Sequence, residues 1–147
     1  MTGRPPKYTD PEEMQKKIDQ YFTDCEGEVL RDGKGDPVLD KWGAPIMIHA
    51  RPPTSSGLAR ALGFSKRKSL YDYKGKKTFR DTITRAMLRL EEYNEERLYD
   101  KEGCNGAKFS LINNFGWEER EKKEIAGPDG GGIKVVFNIP RPEGEEP

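Results

Sequence analysis

The stretch from Gly57 to Tyr73 constrains the fold most, because a short apolar helix, a glycine turn and a basic second helix follow one another directly. This order is typical of a helix-turn-helix motif. Ala59 and Gly63 stand four residues apart, where the motif needs a small side chain for close packing and a residue that tolerates a left-handed turn. The sequence therefore predicts a helix-turn-helix within a mainly α fold.

The second helix of this motif is predicted to carry Lys66, Arg67 and Lys68 in its first turn. A helix N-terminus bears a partial positive charge, so each cation there costs roughly 0.3–1 kcal/mol, whereas a phosphate is stabilised. The cations therefore favour a phosphate-binding surface. Ordinary solvated lysines are the alternative interpretation.

The charge of the chain is neutral overall but unevenly distributed along it. Residues 60–90 contain ten Lys or Arg and two Asp, a net charge of +8, against −2 for residues 1–59 and −6 for residues 91–147. A basic segment in an otherwise acidic chain indicates a DNA-binding surface. The candidate DNA-binding residues are Arg4, Arg60, Lys66, Arg67, Lys68, Ser69, Lys74, Lys76, Lys77 and Arg80.

Several classes of function find no support in the sequence. Cys25 and Cys104 are isolated from each other and from His49, so we expect no zinc or other metal, no disulfide and no catalytic residues. No glycine-rich nucleotide loop is present, and no cofactor is expected. No apolar run approaches the roughly 18 residues that span a bilayer, so a soluble intracellular protein without a membrane partner is expected.

The N-terminal part is predicted to combine an arm, a helix and a β insertion. Residues 1–8 are expected to be a flexible arm, with Arg4 as a weak candidate for the minor groove. Thr9 or Asp10 can cap a helix that begins at Pro11 and ends near Cys25. Residues 28–48 are typical of a β-hairpin or three-stranded meander. This segment could contact DNA, pack on a neighbouring subunit or simply be a solvent-exposed insertion.

A long helix is predicted from about Lys76 to Lys101, and a shorter one from Gly106 to Phe115. The first half of the long helix is basic and the second acidic. Two explanations, which are compatible in a ring, are that DNA lies over the basic half and that the basic half of one subunit meets the acidic half of the next. The apolar residues proposed for oligomerisation through this helix are Phe79, Ile83, Met87, Leu90 and Tyr93.

The C-terminal part is predicted to be a linker over residues 118–132 followed by one strand. Apolar side chains alternate at Ile133, Val135, Phe137 and Ile139, and Pro140 ends the pattern. A single strand leaves its backbone groups unpaired. It is therefore expected to pair either with the 28–48 segment or, as we favour, with the same segment of neighbouring subunits.

Several motifs in continuous order resemble the small terminase subunit, or DNA-packaging protein, of tailed bacteriophages. They include Arg51-Pro-Pro-Thr, Gly57-Leu-Ala-Arg-Ala-Leu-Gly-Phe, Ser69-Leu-Tyr-Asp-Tyr, Phe79-Arg-Asp-Thr-Ile and Asn113-Asn-Phe-Gly-Trp. The resemblance covers about residues 50–118. It implies a ring of about eight to twelve subunits that recognises the packaging site on double-stranded viral DNA and serves the large terminase subunit, which holds the ATPase and nuclease.

The resemblance and the residue patterns together predict five segments. Residues 1–75 form a DNA-binding domain, 76–117 a helical oligomerisation region, 118–132 a linker, 133–140 an intersubunit strand and 141–147 an acidic tail that docks the large subunit. The expected location is the host cytoplasm rather than the mature virion. A dimeric helix-turn-helix transcriptional regulator is the alternative function.

Overall fold

Five α-helices dominate the computed structural model, which describes residues 5–120 and 125–138. They are α1 (Pro11–Glu26), α2 (Ser55–Ala61), α3 (Lys68–Gly75), α4 (Arg80–Glu96) and α5 (Cys104–Asn114). Short 3-10 turns occupy Arg97–Tyr99 and Pro128–Gly130. Strands β1 (Glu28–Val29) and β2 (Met47–Ile48) form a small antiparallel sheet in which Glu28 pairs with Ile48. The prediction of a mainly α chain is confirmed.

The chain divides into two compact units, Met1–Trp117 and Glu118–Pro147. In the first unit, helices α1 to α4 share one apolar core. This core continues across residue 75, because Tyr73 of α3 packs edge-to-face on Phe79 with ring centroids 5.1 Å apart. Buried side chains of the predicted DNA-binding segment and of the predicted oligomerisation segment therefore pack in the same core.

Helix α1 forms where the sequence predicts it. The Asp10 side chain accepts a hydrogen bond from the backbone N–H of Glu12, and Pro11 lies in the first turn. Tyr21 joins α1 to the start of α2, because its hydroxyl donates to the carbonyl of Thr54 and accepts from the N–H of the same residue. Burial is the main cause that raises the pKa of Tyr21.

The arm before α1 is anchored at Tyr8, whereas the sequence predicts flexibility as far as this residue. The Tyr8 side chain is 2% exposed, and its hydroxyl donates to the carbonyl of Leu62 at 2.6 Å. Its backbone N–H donates to the Tyr73 hydroxyl at 2.9 Å, and its ring packs edge-to-face on Phe64. These partners lie more than 50 residues away, so local composition could not indicate them.

Two helices begin or end at positions other than those predicted. Helix α3 begins at Lys68, so Lys66 and Arg67 precede it instead of lying in its first turn. Helix α4 spans Arg80–Glu96, and the predicted extension to Lys101 is replaced by the 3-10 turn Arg97–Tyr99. Residues 76–79 connect α3 to α4, with Phe79 buried at the start of α4.

Residues 31–46 contain two copies of one turn, a repeat that the sequence analysis overlooked. Each copy has the pattern Asp-x-x-Gly-x-Pro, beginning at Asp32 and at Asp40. Asp32 accepts from the N–H groups of residues 34 and 36, and Asp40 accepts from those of residues 42 and 44. The glycines of the two copies, Gly35 and Gly43, have φ of +88° and +84°, in the left-handed region of backbone conformation that favours glycine.

Three apolar residues spaced eight positions apart connect the turns of this insertion through a cycle of backbone hydrogen bonds. Leu30 donates its N–H to the carbonyl of Ile46, Ile46 to that of Val38, and Val38 to that of Leu30, at 2.8–2.9 Å. The cycle joins the beginning, middle and end of the segment. Residues 28–48 therefore consist of hydrogen-bonded turns and a sheet of two strands, each two residues long. These strands are shorter than the predicted meander requires.

The second unit contains the segment for which the sequence predicts a C-terminal strand. Residues 133–138 belong to no strand in the described part of the chain, and the side chains of Ile133, Val135 and Phe137 are exposed. A strand needs a partner for its backbone N–H and C=O groups. Arg4, Ile139 and the predicted tail at 141–147 lie outside the described residues.

Candidate nucleic-acid interface

Helices α2 and α3 are joined by a turn that the local sequence explains. Thr54 caps α2 by accepting the N–H of Gly57 at 3.0 Å. Gly63 has φ of +77° and donates its N–H to the carbonyl of Arg60, while Phe64 donates to that of Ala59. These two bonds form a Schellman motif, which ends α2 and turns the chain toward α3.

Lys7 of the arm lies directly over this turn. A Cβ placed on Gly63 would lie 2.6 Å from the Lys7 ammonium nitrogen, which shows how closely the side chain approaches. Lys7 also lines a surface depression of about 600 Å³ together with Lys76. Ser65, Ser69 and Asp72 also line this depression.

The depression is lined by two lysines and two serines beside one aspartate, a net positive set of side chains. The Lys76 ammonium lies 4.1 Å from the centre of the Tyr73 ring, which holds it near the core. Among the described residues, Lys7 and Lys76 make no ion pair. Sequence reasoning missed Lys7, since only the buried contacts of Tyr8 place it here.

The other predicted DNA-binding residues are distributed over several surfaces. Arg67 donates to the side chain of Asn114 in α5 at 3.2 Å, and Lys74 lines a groove against α4. Arg60 lines a separate depression beside Arg51. Four further cations are exposed, namely Lys66, Lys68, Lys77 and Arg80. The structure therefore brings together only part of the predicted set.

Arg67 also lines a cleft of about 470 Å³ beside Arg97 of the 3-10 turn. Arg97 donates to the Tyr93 hydroxyl and pairs with Asp100 at 3.5 Å. The hydrogen bond to Tyr93 is the main cause that raises the pKa of Arg97. Both guanidinium groups of this cleft thus already have partners in the chain.

The charged residues of α4 are partly used within the chain. Arg85 pairs with Asp81 at 3.1 Å, and Arg89 pairs with Asp19 of α1 at 3.0 Å while stacking on Phe22. In the acidic half, Glu91 accepts from the indole N–H of Trp117 at 2.8 Å. The remaining acidic residues Glu92, Glu95 and Glu96 make no ion pair with any described residue.

The apolar residues proposed for oligomerisation through α4 lie mostly inside the protomer. Phe79, Ile83 and Leu90 are buried in its core, while Met87 and Tyr93 are half-buried. The exposed apolar residue of this helix is Leu88, at 60%. A helical period of apolar residues indicates one buried face, but it does not tell whether the same chain or a neighbour covers that face.

The described residues contain no group of three or more His, Cys, Asp or Glu side chains placed to hold a metal ion. None of the described helices has the length and apolar character needed to cross a membrane.

The model of the DNA-packaging protein gp3 family matches residues 3–125. This range includes the anchored arm, the duplicated turns, all five helices and the cations of α3. Comparison with curated proteins and with solved structures gave no match. The resemblance to phage DNA-packaging proteins is thereby confirmed, since the match covers most of the chain, and the chain belongs to the DNA-packaging protein gp3 family.

Proposed function

We propose that this protein is the small terminase subunit of a phage packaging machine. As a ring, it recognises the packaging site on concatemeric viral DNA and recruits or regulates the large terminase subunit, which supplies the ATPase and nuclease. The observation that carries this proposal is the family match over residues 3–125, together with the cations around the α2–α3 turn.

The proposed DNA surface is centred on α3 and the residues just before it. Lys66 and Lys68 are exposed there, and Lys7, Ser69 and Lys76 border the adjacent depression. Ammonium groups and hydroxyls are common partners of backbone phosphates. This arrangement suits phosphate contacts that position the protein on the duplex.

A ring would strengthen such contacts without any new chemistry. Each subunit presents a small basic surface, and several copies that engage one duplex bind with an effective concentration set by the assembly. The same ring would place the acidic residues Glu92, Glu95 and Glu96 near charged groups of neighbouring subunits. In this proposal residues 133–139 pair between subunits, and the tail 141–147 docks the large subunit.

The proposed role is recognition rather than catalysis, and it requires no cofactor. We place it in the host cytoplasm during packaging, outside the mature virion. Incubation of the purified protein with DNA and Mg²⁺ tests this role, and we expect intact DNA. Cleavage that copurifies with the protein would contradict it.

Charge reversal on the proposed DNA surface tests the function. We expect Lys66→Glu with Lys68→Glu to weaken binding to phage DNA strongly. The slope of log K against log salt should also become shallower, by about 0.9 for each phosphate that the variant no longer neutralises. Arg67 stays unchanged, because its hydrogen bond to Asn114 gives it a structural role. Gel-shift titrations over a salt series provide the measurement.

The matched control is Lys16→Glu with Lys34→Glu, which makes the same change in net charge at exposed lysines of α1 and the insertion. The control should keep the wild-type salt slope, and both variants should keep the wild-type mass. Equal weakening by both variants would show that only net charge matters, and the α3 surface would then be rejected.

A further inference from the structure

The insertion presents one large aromatic side chain on a hydrogen-bonded turn. Trp42 is 80% exposed, and its backbone N–H donates to the Asp40 carboxylate. The neighbouring Gly43 donates to the Asp40 carbonyl, which completes the second copy of the turn. The turn therefore loses little backbone freedom when Trp42 binds a partner, because the backbone is already hydrogen-bonded.

The chemistry around Trp42 favours a protein partner over DNA. Residues 28–48 contain four acidic and three basic residues, so the segment has no net positive charge that would attract DNA. The Arg31 guanidinium donates to the carbonyl of Gly35 at 2.9 Å, and the Lys41 ammonium lies 4.2 Å from the centre of the Trp42 ring. Trp is among the residue types that dominate the binding energy of protein interfaces.

The same compact unit contains an open groove between α3, α4 and the end of α5. It has a volume of about 360 Å³, and its apolar walls include Tyr71, Met87, Leu88 and Phe115. Leu88 is 60% exposed and Tyr71 41% exposed. Lys74 and Glu91 supply one positive and one negative charge.

We propose that Trp42 of one subunit inserts into this groove on a second copy of the chain. Lys41 then approaches Glu91, which uses its Oε1 atom to accept the Trp117 indole N–H. Each copy carries one Trp42 turn and one groove, and the high exposure of Trp42 and Leu88 shows that the described residues of the protomer cover neither.

A contact between two different surfaces of identical subunits is heterologous, and it closes into a ring when the rotation permits. The insertion thereby acquires a role as a connector between subunits. This inference deepens the proposed function, because it rests on the ring and names the surfaces that build it.

Two variants disable the two sides of the contact separately. Trp42→Ala removes the inserted side chain, and Leu88→Asp places a charge in the groove. We expect either variant to raise the protein concentration at half-assembly about tenfold or more, as measured by mass photometry over a dilution series. Tyr99→Ala is the matched control, because Tyr99 is 91% exposed and outside both surfaces, and it should leave the midpoint unchanged.

Mixing the two variants gives a sharper test. The Leu88→Asp subunit keeps its Trp42, and the Trp42→Ala subunit keeps its groove, so one intact contact remains between them. We expect one-to-one heterodimers that do not grow further, at concentrations where each variant alone is monomeric. Circular dichroism and thermal melting establish that both variants are folded.

The outcomes separate this inference from the proposed function. A wild-type ring whose midpoint is unchanged by Trp42→Ala would overturn the Trp42 contact and leave the ring standing. The same holds if Trp42→Ala lowers DNA affinity, or binding to the large subunit, at an unchanged midpoint. A wild-type protein that is monomeric throughout the dilution series would overturn both the contact and the ring.

Discussion

Tyr8 shows how contacts with residues far away in sequence can position a neighbouring candidate functional group. Its hydroxyl satisfies the Leu62 carbonyl at the end of α2, and its N–H binds the Tyr73 hydroxyl of α3. The side chain of the adjacent Lys7 therefore lies over Gly63. Buried hydrogen bonds of this kind contribute through their geometry and through the cost of leaving a carbonyl unpaired.

Replacing Tyr8 with Phe should destabilise the protein by about 1–2 kcal/mol, because the buried Leu62 carbonyl loses its donor while the ring is kept. Urea denaturation measures this difference. The control Tyr99→Phe removes a hydroxyl from an exposed ring, so a change within about 0.5 kcal/mol is expected. Equal stability of both variants would mean that the hydroxyl of Tyr8 does not anchor the arm.

Two glycines near α3 should respond oppositely to alanine. Gly63→Ala should cost about 1–2 kcal/mol, because φ is +77° and the new methyl would meet Lys7. Gly75→Ala should stabilise by about 0.4–1 kcal/mol, since no atom lies within 4 Å of the added Cβ at the end of α3. Thermal unfolding of both variants checks the signs, and a stabilising Gly63→Ala would contradict this account of the turn.

At the scale of elements, the duplicated turns explain why a polar insertion with few buried residues is ordered. Asp32 and Asp40 each bind two backbone N–H groups, and the cycle of Leu30, Val38 and Ile46 connects the turns. Helices α2 and α3 use a different device, a glycine C-cap that fixes the direction of the second helix. Local hydrogen bonds therefore position both the Trp42 turn and the cations of α3.

Replacing Asp40 with Ala should loosen the second turn locally. The N–H groups of Trp42 and Ala44 lose their acceptor, so we expect about tenfold faster hydrogen exchange near residues 42–44, while exchange near 34–36 stays unchanged. Asp36→Ala is the control, because the Asp36 carboxylate accepts no hydrogen bond within the described segments. Uniform protection in all three proteins would contradict the role of the Asp40 carboxylate.

At the scale of the whole molecule, the two units have different relations to assembly. The first unit buries its own apolar core, including Phe79, Ile83 and Leu90 of α4. The second contains exposed apolar residues at 133–138. Association between subunits therefore has two proposed sources, the Trp42 groove in the first unit and strand pairing in the second.

Deleting residues 133–147 should change the subunit number or loosen the assembly without lowering the melting temperature of the first unit. The physical reason is that the core from Tyr8 to Leu111 lies entirely within Met1–Trp117. Native mass spectrometry and calorimetry measure the two quantities. An unchanged mass would remove the basis for an intersubunit strand, and a large loss of stability would show that the second unit supports the first.

The sequence by itself determined that the helices exist, the glycine turn at Gly63 that follows α2, and the family, because periodicity, caps and motifs are local properties of the chain. Only the tertiary structure decided that Lys7 and Lys76 share a depression while Arg67 and Lys74 lie elsewhere. It also decided that most of the apolar face of α4 belongs to the protomer core. The reason is that surfaces combine residues distant in sequence, and their proximity depends on packing that no local pattern specifies.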